Sequence, residues 1–230
     1  MKSKSFTHIY LEDAFKKKGC PVCNVVDKYV KRYLDNFLYE NVNSPSVRIQ
    51  LRETLGFCNQ HAWQAVEMKD GLGISIVYED ILKTALESFE KYQIKDNATI
   101  KQKKGATKNS FLPAIKNQEV SCPACKLGKE VEQNCIELII KNLKEPAFNE
   151  LYKNSDGLCL KHLKLLIEYS SDSKITQEII NIERENILSL ISDLQEYQRK
   201  HDYRFSHEPF GKEKDSWIRA VAKIVGKHPF

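Results

Sequence analysis

The sequence predicts an all-α protein of two related helical repeats, each stapled by a Cys3His metal site, with a C-terminal strap and short helix behind them. Three observations carry this. Two cysteine-bearing motifs recur at a near-constant separation. Apolar residues recur at three- and four-residue steps, the period of a helix buried on one side. No run shows strand alternation bounded by hairpin turns.

The repetition comes first. CPVC (Cys20–Cys23) returns as CPAC (Cys122–Cys125) after 102 residues, and GFCNQH (Gly56–His61) returns as GLCLKH (Gly157–His162) after 101. Pro45 and Pro146 are also 101 apart, so the one-residue deletion falls between the CPxC motif and that proline. Matched cysteines, histidines and a proline in the same order indicate an internal duplication. The expected organisation is repeat one over 1–94, a connector over 95–118, repeat two over 119–200 and a C-terminal segment over 201–230.

Each repeat reads as three helices. After Cys23 the stripe is Val26, Tyr29, Val30, Tyr33, Phe37 and Leu38; in copy two it is Val131, Cys135, Ile136, Leu138 and Ile139. After Cys58 follow Ala62, Ala65, Val66 and Met68, matched by Leu163, Leu166 and Ile167. A third helix from about Ile74 carries Val77, Tyr78, Ile81, Ala85 and Phe89. Its partner from about Ile175 carries Ile179, Ile187, Leu190, Ile191 and Leu194. HDYRFSHEPFGKEKDSW reads as an extended polar strap leading to a short helix, with Asp215 or Ser216 as N-cap. Trp217, Ala220, Val221 and Ile224 are expected to be its buried stripe.

Composition bounds the function classes. The chain has 230 residues, 41% apolar and 29% charged, ordinary for a globular protein. No apolar run approaches the roughly 18 residues that span a bilayer, so no membrane association is expected. MKSKSFTHIYLEDAF has no apolar signal core, which favours a cytoplasmic location. In that reducing compartment, regularly spaced cysteines favour metal or redox chemistry over disulfides. The net charge is +5, and the connector alone, with six lysines and one aspartate, holds 6 − 1 = +5. The basic cluster Lys101–Lys104 is the place where a nucleic acid would bind; the simpler reading is a solvated linker.

Six of the seven cysteines fall in the repeated motifs, and each set of three is joined by one histidine. The candidate ligands are Cys20, Cys23, Cys58 and His61 in copy one, and Cys122, Cys125, Cys159 and His162 in copy two. A CxxC turn converges two thiolates on one ion, and Cys-x-x-His at the head of a helix puts both ligands on one side. Three sulfurs and one nitrogen suit tetrahedral zinc, one ion per set and two per chain. Each site would then join the first and second helices of its own copy. Exchange between copies, CPVC with Cys159 and His162, stays open. Four protein ligands leave no position for water or substrate, which is the mark of a structural site.

Other chemistries fit less of the pattern. A thioredoxin-like dithiol would use CPVC or CPAC, but no βαβ pattern surrounds them, and Cys58, His61, Cys159 and His162 stay unexplained. An iron–sulfur cluster accepts similar ligands. Covalent haem needs CxxCH, whereas Asn24 and Lys126 follow the CxxC pairs. A catalytic Cys–His pair needs a free thiolate, which metal binding at Cys58 and His61 removes. Cys135 aligns with Tyr33 on the apolar stripe and reads as a packed core thiol. Tyr78, Glu79 and Asp80 read as part of a solvated helix, with Tyr78 in the core. Arg48 and Arg52 would meet phosphate or pair with acids. His201 and His207 read as solvated, and Trp63, Trp217 and Phe205 as a core cluster.

GCPVC, GFCNQHAW, GLGISIVYEDIL and EPFGKEKDSWIRAVAKIVG together resemble an uncharacterised prokaryotic family of unknown function with paired CPxC and GFCxxH motifs. The resemblance covers most of the chain. It implies metal ligation and no particular activity. Copy two departs from it: Lys164 stands where copy one has Trp63, and SDSKITQEII keeps little of GLGISIVYED. Copy two is thus read as keeping its metal site and losing a surface that copy one presents. The expected function is a non-enzymatic zinc-binding adaptor with a protein partner. The alternatives are a nucleic-acid-binding protein acting through the connector, and a thiol-redox or iron–sulfur protein.

Overall fold

The computed structural model describes residues 5–91 and 122–227. The connector expected over 95–118, including Lys101–Lys104, lies outside the described residues. Those residues are all-α, with no strand among them. The helices are α1 (Phe6–Phe15), α2 (Pro21–Asn36, running into a π turn at Phe37–Asn41), α3 (Pro45–Thr54), α4 (Asn59–Glu67) and α5 (Gly71–Lys91). After them come α6 (Pro123–Asn142), α7 (Pro146–Lys153), α8 (Leu160–Tyr169), α9 (Ser173–Lys200), a 3-10 turn at Lys212–Asp215 and α10 (Ser216–Val225). Four helices, α2, α3, α6 and α7, open on proline, whose fixed φ suits the first helical position and whose missing N–H costs nothing there. This is the local reason for both the CPxC prolines and the matched Pro45 and Pro146.

The chain divides into two compact units. One comprises Met1–Tyr29 with Lys129–Phe230, the other Val30–Gly128. The first is built on an aromatic centre. Phe15 meets Phe148 and Tyr152 edge-on, with ring centroids 5.3 and 5.6 Å apart, which joins α1 to α7. Leu11, Cys135, Ile136, Ile139, Leu158, Leu166 and Ile179 fill the space around them. Ser5 caps α1 and Asp172 caps α9 through its carboxylate, which accepts from the amides of Lys174 and Ile175.

The second unit centres on Phe37 and Phe57, edge-on at 5.2 Å, with Leu34, Leu38, Leu51, Ala65, Val77 and Ile81 buried beside them. α3 ends with Leu55 in the left-handed region and Gly56 at φ +92°, and the Gly56 amide donates to Leu51 at 2.7 Å. That C-terminal turn delivers the chain to Cys58. α3 and α5 are also tied by charge: Arg52 makes a two-pronged contact with Asp80 at 2.7 and 2.8 Å, and Arg48 adds a third bond.

The C-terminal segment departs from its sequence reading. Residues 201–207 form turns, not an extended strap, and the 3-10 turn precedes α10. α10 is also reversed. Its buried positions are Ser216 and Lys223, while Trp217, Val221 and Ile224 face water. Charge pairing turns it over. Lys223 donates to the buried carboxylate of Glu183 at 2.5 Å, and Arg219 bonds Asp193 and Asp215 at 3.0 and 2.8 Å. Hydrophobic periodicity identified the apolar side but could not weigh buried acids on α9 that attract its polar side.

Candidate metal centres

All four motifs place their ligands the same way. Cys20, Cys58, Cys122 and Cys159 each immediately precede a helix, and Cys23, His61, Cys125 and His162 are each its third residue. The backbone carbonyl of the leading cysteine accepts the first helical hydrogen bond in every case: from Asn24 at 3.1 Å, Ala62 at 2.9 Å, Lys126 at 3.0 Å and Leu163 at 2.9 Å. Cap and third positions lie together over the first turn. Each motif therefore offers two ligand atoms at a helix N-terminus, where the partial positive charge favours thiolates.

The structure gathers the eight residues into two groups of four, with the ligand atoms of each within 4.8 Å of one another. In the first unit the group is Cys20, Cys23, Cys159 and His162. His162 Nδ1 lies 3.2, 3.4 and 3.2 Å from the sulfurs of Cys20, Cys23 and Cys159, and Cys23 Sγ lies 3.8 Å from Cys159 Sγ. In the second unit the group is Cys58, His61, Cys122 and Cys125. His61 Nδ1 lies 3.1, 3.5 and 3.3 Å from the three sulfurs, and Cys58 Sγ lies 3.5 Å from Cys125 Sγ. Of the two pairings open in the sequence, the structure takes the exchanged one. Cys20 and Cys23 gather with Cys159 and His162, and Cys122 and Cys125 with Cys58 and His61, so neither group is the within-copy set expected from the sequence.

These distances test what the groups could hold. A tetrahedral ion with bonds of about 2.3 Å to sulfur and about 2.0 Å to nitrogen keeps its sulfurs roughly 3.8 Å apart and sulfur from nitrogen about 3.5 Å. Both groups fit that spacing. Multi-iron clusters spread their ligands over several metal corners and need a wider cage. Disulfides need sulfurs at about 2.05 Å, and all seven cysteines are free.

The electrostatics of each group are those of crowded anions. Hydrogen bonds from Cys20 and Cys23 hold Cys159 well below the usual thiol range, while burial pushes Cys20 well above it. In the other group, bonds from Cys125 and Cys58 depress Cys122, and bonds to Cys122 and Cys58 raise Cys125. Burial would lower both histidines. Bonds to Cys122 and Cys58 outweigh it at His61, which rises to about 9; bonds to Cys159, Cys23 and Glu132 do so at His162, which rises to about 11. Three thiolates in one pocket repel one another unless a cation sits among them.

The surroundings explain the glycines and distinguish the two groups. Gly157 has φ +70°, and a Cβ there would lie 2.5 Å from Glu183 Oε1. That same oxygen accepts from the Leu158 amide and the Tyr152 hydroxyl, both at 2.6 Å, so it fixes the loop that carries Cys159. Gly226, after α10, lies against the sulfurs of Cys23 and Cys159, where an added Cβ would come within 3.4 and 3.7 Å. His162 Nε2 is 2.7 Å from Glu132 Oε1, and Lys161 is 2.7 Å from the same oxygen. A carboxylate on the second ring nitrogen fixes the tautomer that presents Nδ1 to a metal. Bonds to His162 and Lys161 overcome the opposing effect of burial and hold Glu132 at about 2. Counted from the two CPxC motifs, the position that matches Glu132 is Val30. An acid standing in for a residue of the apolar stripe was the available signal for Glu132. Glu183, Lys223 and Gly226 had none.

The remaining candidates resolve individually. Cys135 is fully buried, its thiol pushed up to about 12 by burial, as a packed core residue. Asp80 is taken up by Arg48 and Arg52, and Glu79 by Lys83 at 2.7 Å. Tyr78 lies against Gly56, its hydroxyl buried. His201 Nδ1 is 2.8 Å from the Tyr197 carbonyl, and its ring packs on Tyr197 and Phe210. Trp63, Trp217 and Phe205 do not form a core cluster. Trp63 is 57% exposed at the rim of a shallow apolar cleft with Leu55, Phe57, Val66, Ile74 and Tyr78, Trp217 is exposed on α10, and Phe205 stacks with Arg199. No helix among the described residues is long and apolar enough to cross a membrane.

Residues 1–230 match a family model described as "Family of unknown function (DUF6062)". The chain is also similar to an "Uncharacterized 23.9 kDa protein in xynA 3'region" of Caldicellulosiruptor sp. (strain Rt8B.4), with 24% identity over 218 residues, 92% of this chain and 97% of that protein. No solved structure matches.

Proposed function

The chain belongs to the family of unknown function DUF6062, and on that footing we propose that it is a two-zinc helical protein whose metals are structural and whose role is that of a non-enzymatic binding module. The observation that carries this is the gathering of eight Cys and His side chains into two compact sets of four. Three thiolates and a neutral imidazole around Zn²⁺ carry a net charge of −1, and two helix N-termini face that charge in each set. Iron in the same ligand set would fit the distances too, but zinc asks for no redox partner and suits a buried, closed site. Every ligand comes from the protein, so neither ion keeps a position for substrate. What the zinc supplies is folding free energy, about 10–16 kcal/mol for a small motif at neutral pH. That is as large as the whole stability of a typical domain.

Metal analysis of anaerobically purified protein tests this. The expected result is two zinc ions per chain and a colourless solution. Chelation, or Cys58→Ser combined with Cys159→Ser, removes both ions together with much of the helical circular dichroism. A stoichiometry of one or none, or a visible iron–thiolate absorption, overturns the reading.

A further inference from the structure

α10 is an amphipathic helix with its polar side turned in. Ser216 is fully buried, Lys223 is held by Glu183 and the Asp156 carbonyl, and Arg219 is held by Asp193, Asp215 and the Lys212 carbonyl. The outward side carries Trp217, Ile218, Val221, Ile224 and Val225, each between 52 and 68% exposed. The ion pairs fix this orientation. Turning the apolar side inward would strand the buried Glu183 without its cation and take Arg219 from the buried Asp193, leaving Asp193 to Lys212 alone.

We propose that this outward face is a two-fold contact through which two copies of the chain associate. Trp217, Val221 and Ile224 are spaced by four and then three residues, with Ile218 and Val225 alongside, which is the seam along which one helix packs on another. The five side chains leave roughly 500 Å² of apolar surface in water, at the upper end of what a monomer tolerates. Two copies pairing face to face bury at most roughly 1,000 Å², the lower threshold for a specific interface. A single stripe facing itself across a two-fold axis is automatically complementary, and an antiparallel arrangement opposes the two helix dipoles. The small area sets a reversible dimer with a Kd of about 1–100 μM. The inference is independent of the metal reading, because none of the five residues is a ligand.

Sedimentation equilibrium of the full, metal-replete chain from about 1 to 300 μM tests it, a range that brackets that Kd. The expected result is a monomer–dimer equilibrium. Val221→Glu, at an already exposed position, shifts it at least tenfold towards monomer while helix content and zinc stoichiometry stay unchanged. Leu188→Glu, on an exposed position of α9, leaves it unchanged. A wild-type monomer at the highest concentration overturns the proposal, and so does a dimer that survives Val221→Glu. A monomer that co-sediments with anionic phospholipid vesicles through Trp217 also overturns it and reassigns the face to a lipid surface.

Discussion

The exchanged pairing of motifs makes a sharp genetic prediction. Cys23 and Cys58 lie in the same half of the sequence but in different Cys/His groups, whereas Cys23 and Cys159 lie in different halves but in one group, with sulfurs 3.8 Å apart. The double variant Cys23→Ser, Cys159→Ser therefore injures one site only. It should retain one zinc ion per chain. The double variant Cys23→Ser, Cys58→Ser injures both sites and should retain none. The energetic contrast is as large. A structural zinc contributes about 10–16 kcal/mol of apparent folding free energy, and a whole domain is stable by about 5–15 kcal/mol, so the second variant should be unfolded at room temperature while the first keeps one ordered unit. The assay is zinc content by mass spectrometry of the native protein, alongside circular dichroism. Pairing within copies reverses the outcome: Cys23→Ser, Cys58→Ser would then keep one ion and Cys23→Ser, Cys159→Ser none. That single reversal refutes the exchanged geometry.

Four further outcomes follow from named contacts. Glu132→Gln should weaken the metal of the first group about 10- to 100-fold in chelator competition, since it loses the anion that orients His162, and leave the other group untouched, where Val30 occupies the matching position. Gly157→Ala should cost about 2–3 kcal/mol in denaturant melts, because it combines a left-handed φ with a collision against Glu183; a cost below about 0.5 kcal/mol would show that the loop relaxes freely. Lys223→Ala strands the buried Glu183 carboxylate and should cost about 3–5 kcal/mol, whereas Lys223→Met with Glu183→Gln should cost less than the single change; equal costs would contradict a buried ion pair. Hydrogen bonds from Arg52 and Arg48 lower Asp80 below its ordinary value. Its contribution is thus present above the unfolded carboxylate range near pH 4 and lost as the pH falls through the folded value. Asp80→Asn should cost about 1 kcal/mol at pH 7 and progressively less as the pH falls below the unfolded carboxylate range, so a pH-independent cost would remove the ion pair from the explanation.

Much of the candidate site was legible in the chain because its chemistry is local. Cys-x-x-Cys and Cys-x-x-His each fix two ligands across the first turn of one helix, and such a pair reads directly from spacing. Cys135, the cysteine outside the motifs, was separable because it falls on the apolar stripe. The supporting residues were less legible. Glu132 acts on a side chain 30 residues away and Glu183 on a backbone amide 25 residues away; in sequence Glu183 is one more acid on an amphipathic helix, and Glu132 stands out only by its place on the apolar stripe. Trp63 and Trp217 were misplaced for a related reason: an aromatic residue suits a core, but whether it enters one depends on which neighbours reach it.

The helical class, the eight candidate ligands and their grouping into twos follow from the sequence alone, since each depends on interactions spanning about one helical turn. Which CPxC meets which CxxH depends on which helix N-termini face each other, and both pairings satisfy the same local chemistry. Only the tertiary structure separates them. The orientation of α10 is decided at that level too. Its apolar stripe favours burial, but the anchoring of Lys223 by Glu183, and of Arg219 by Asp193, outweighs it. Those partners lie 40 and 26 residues away in the chain, beyond the reach of any periodicity.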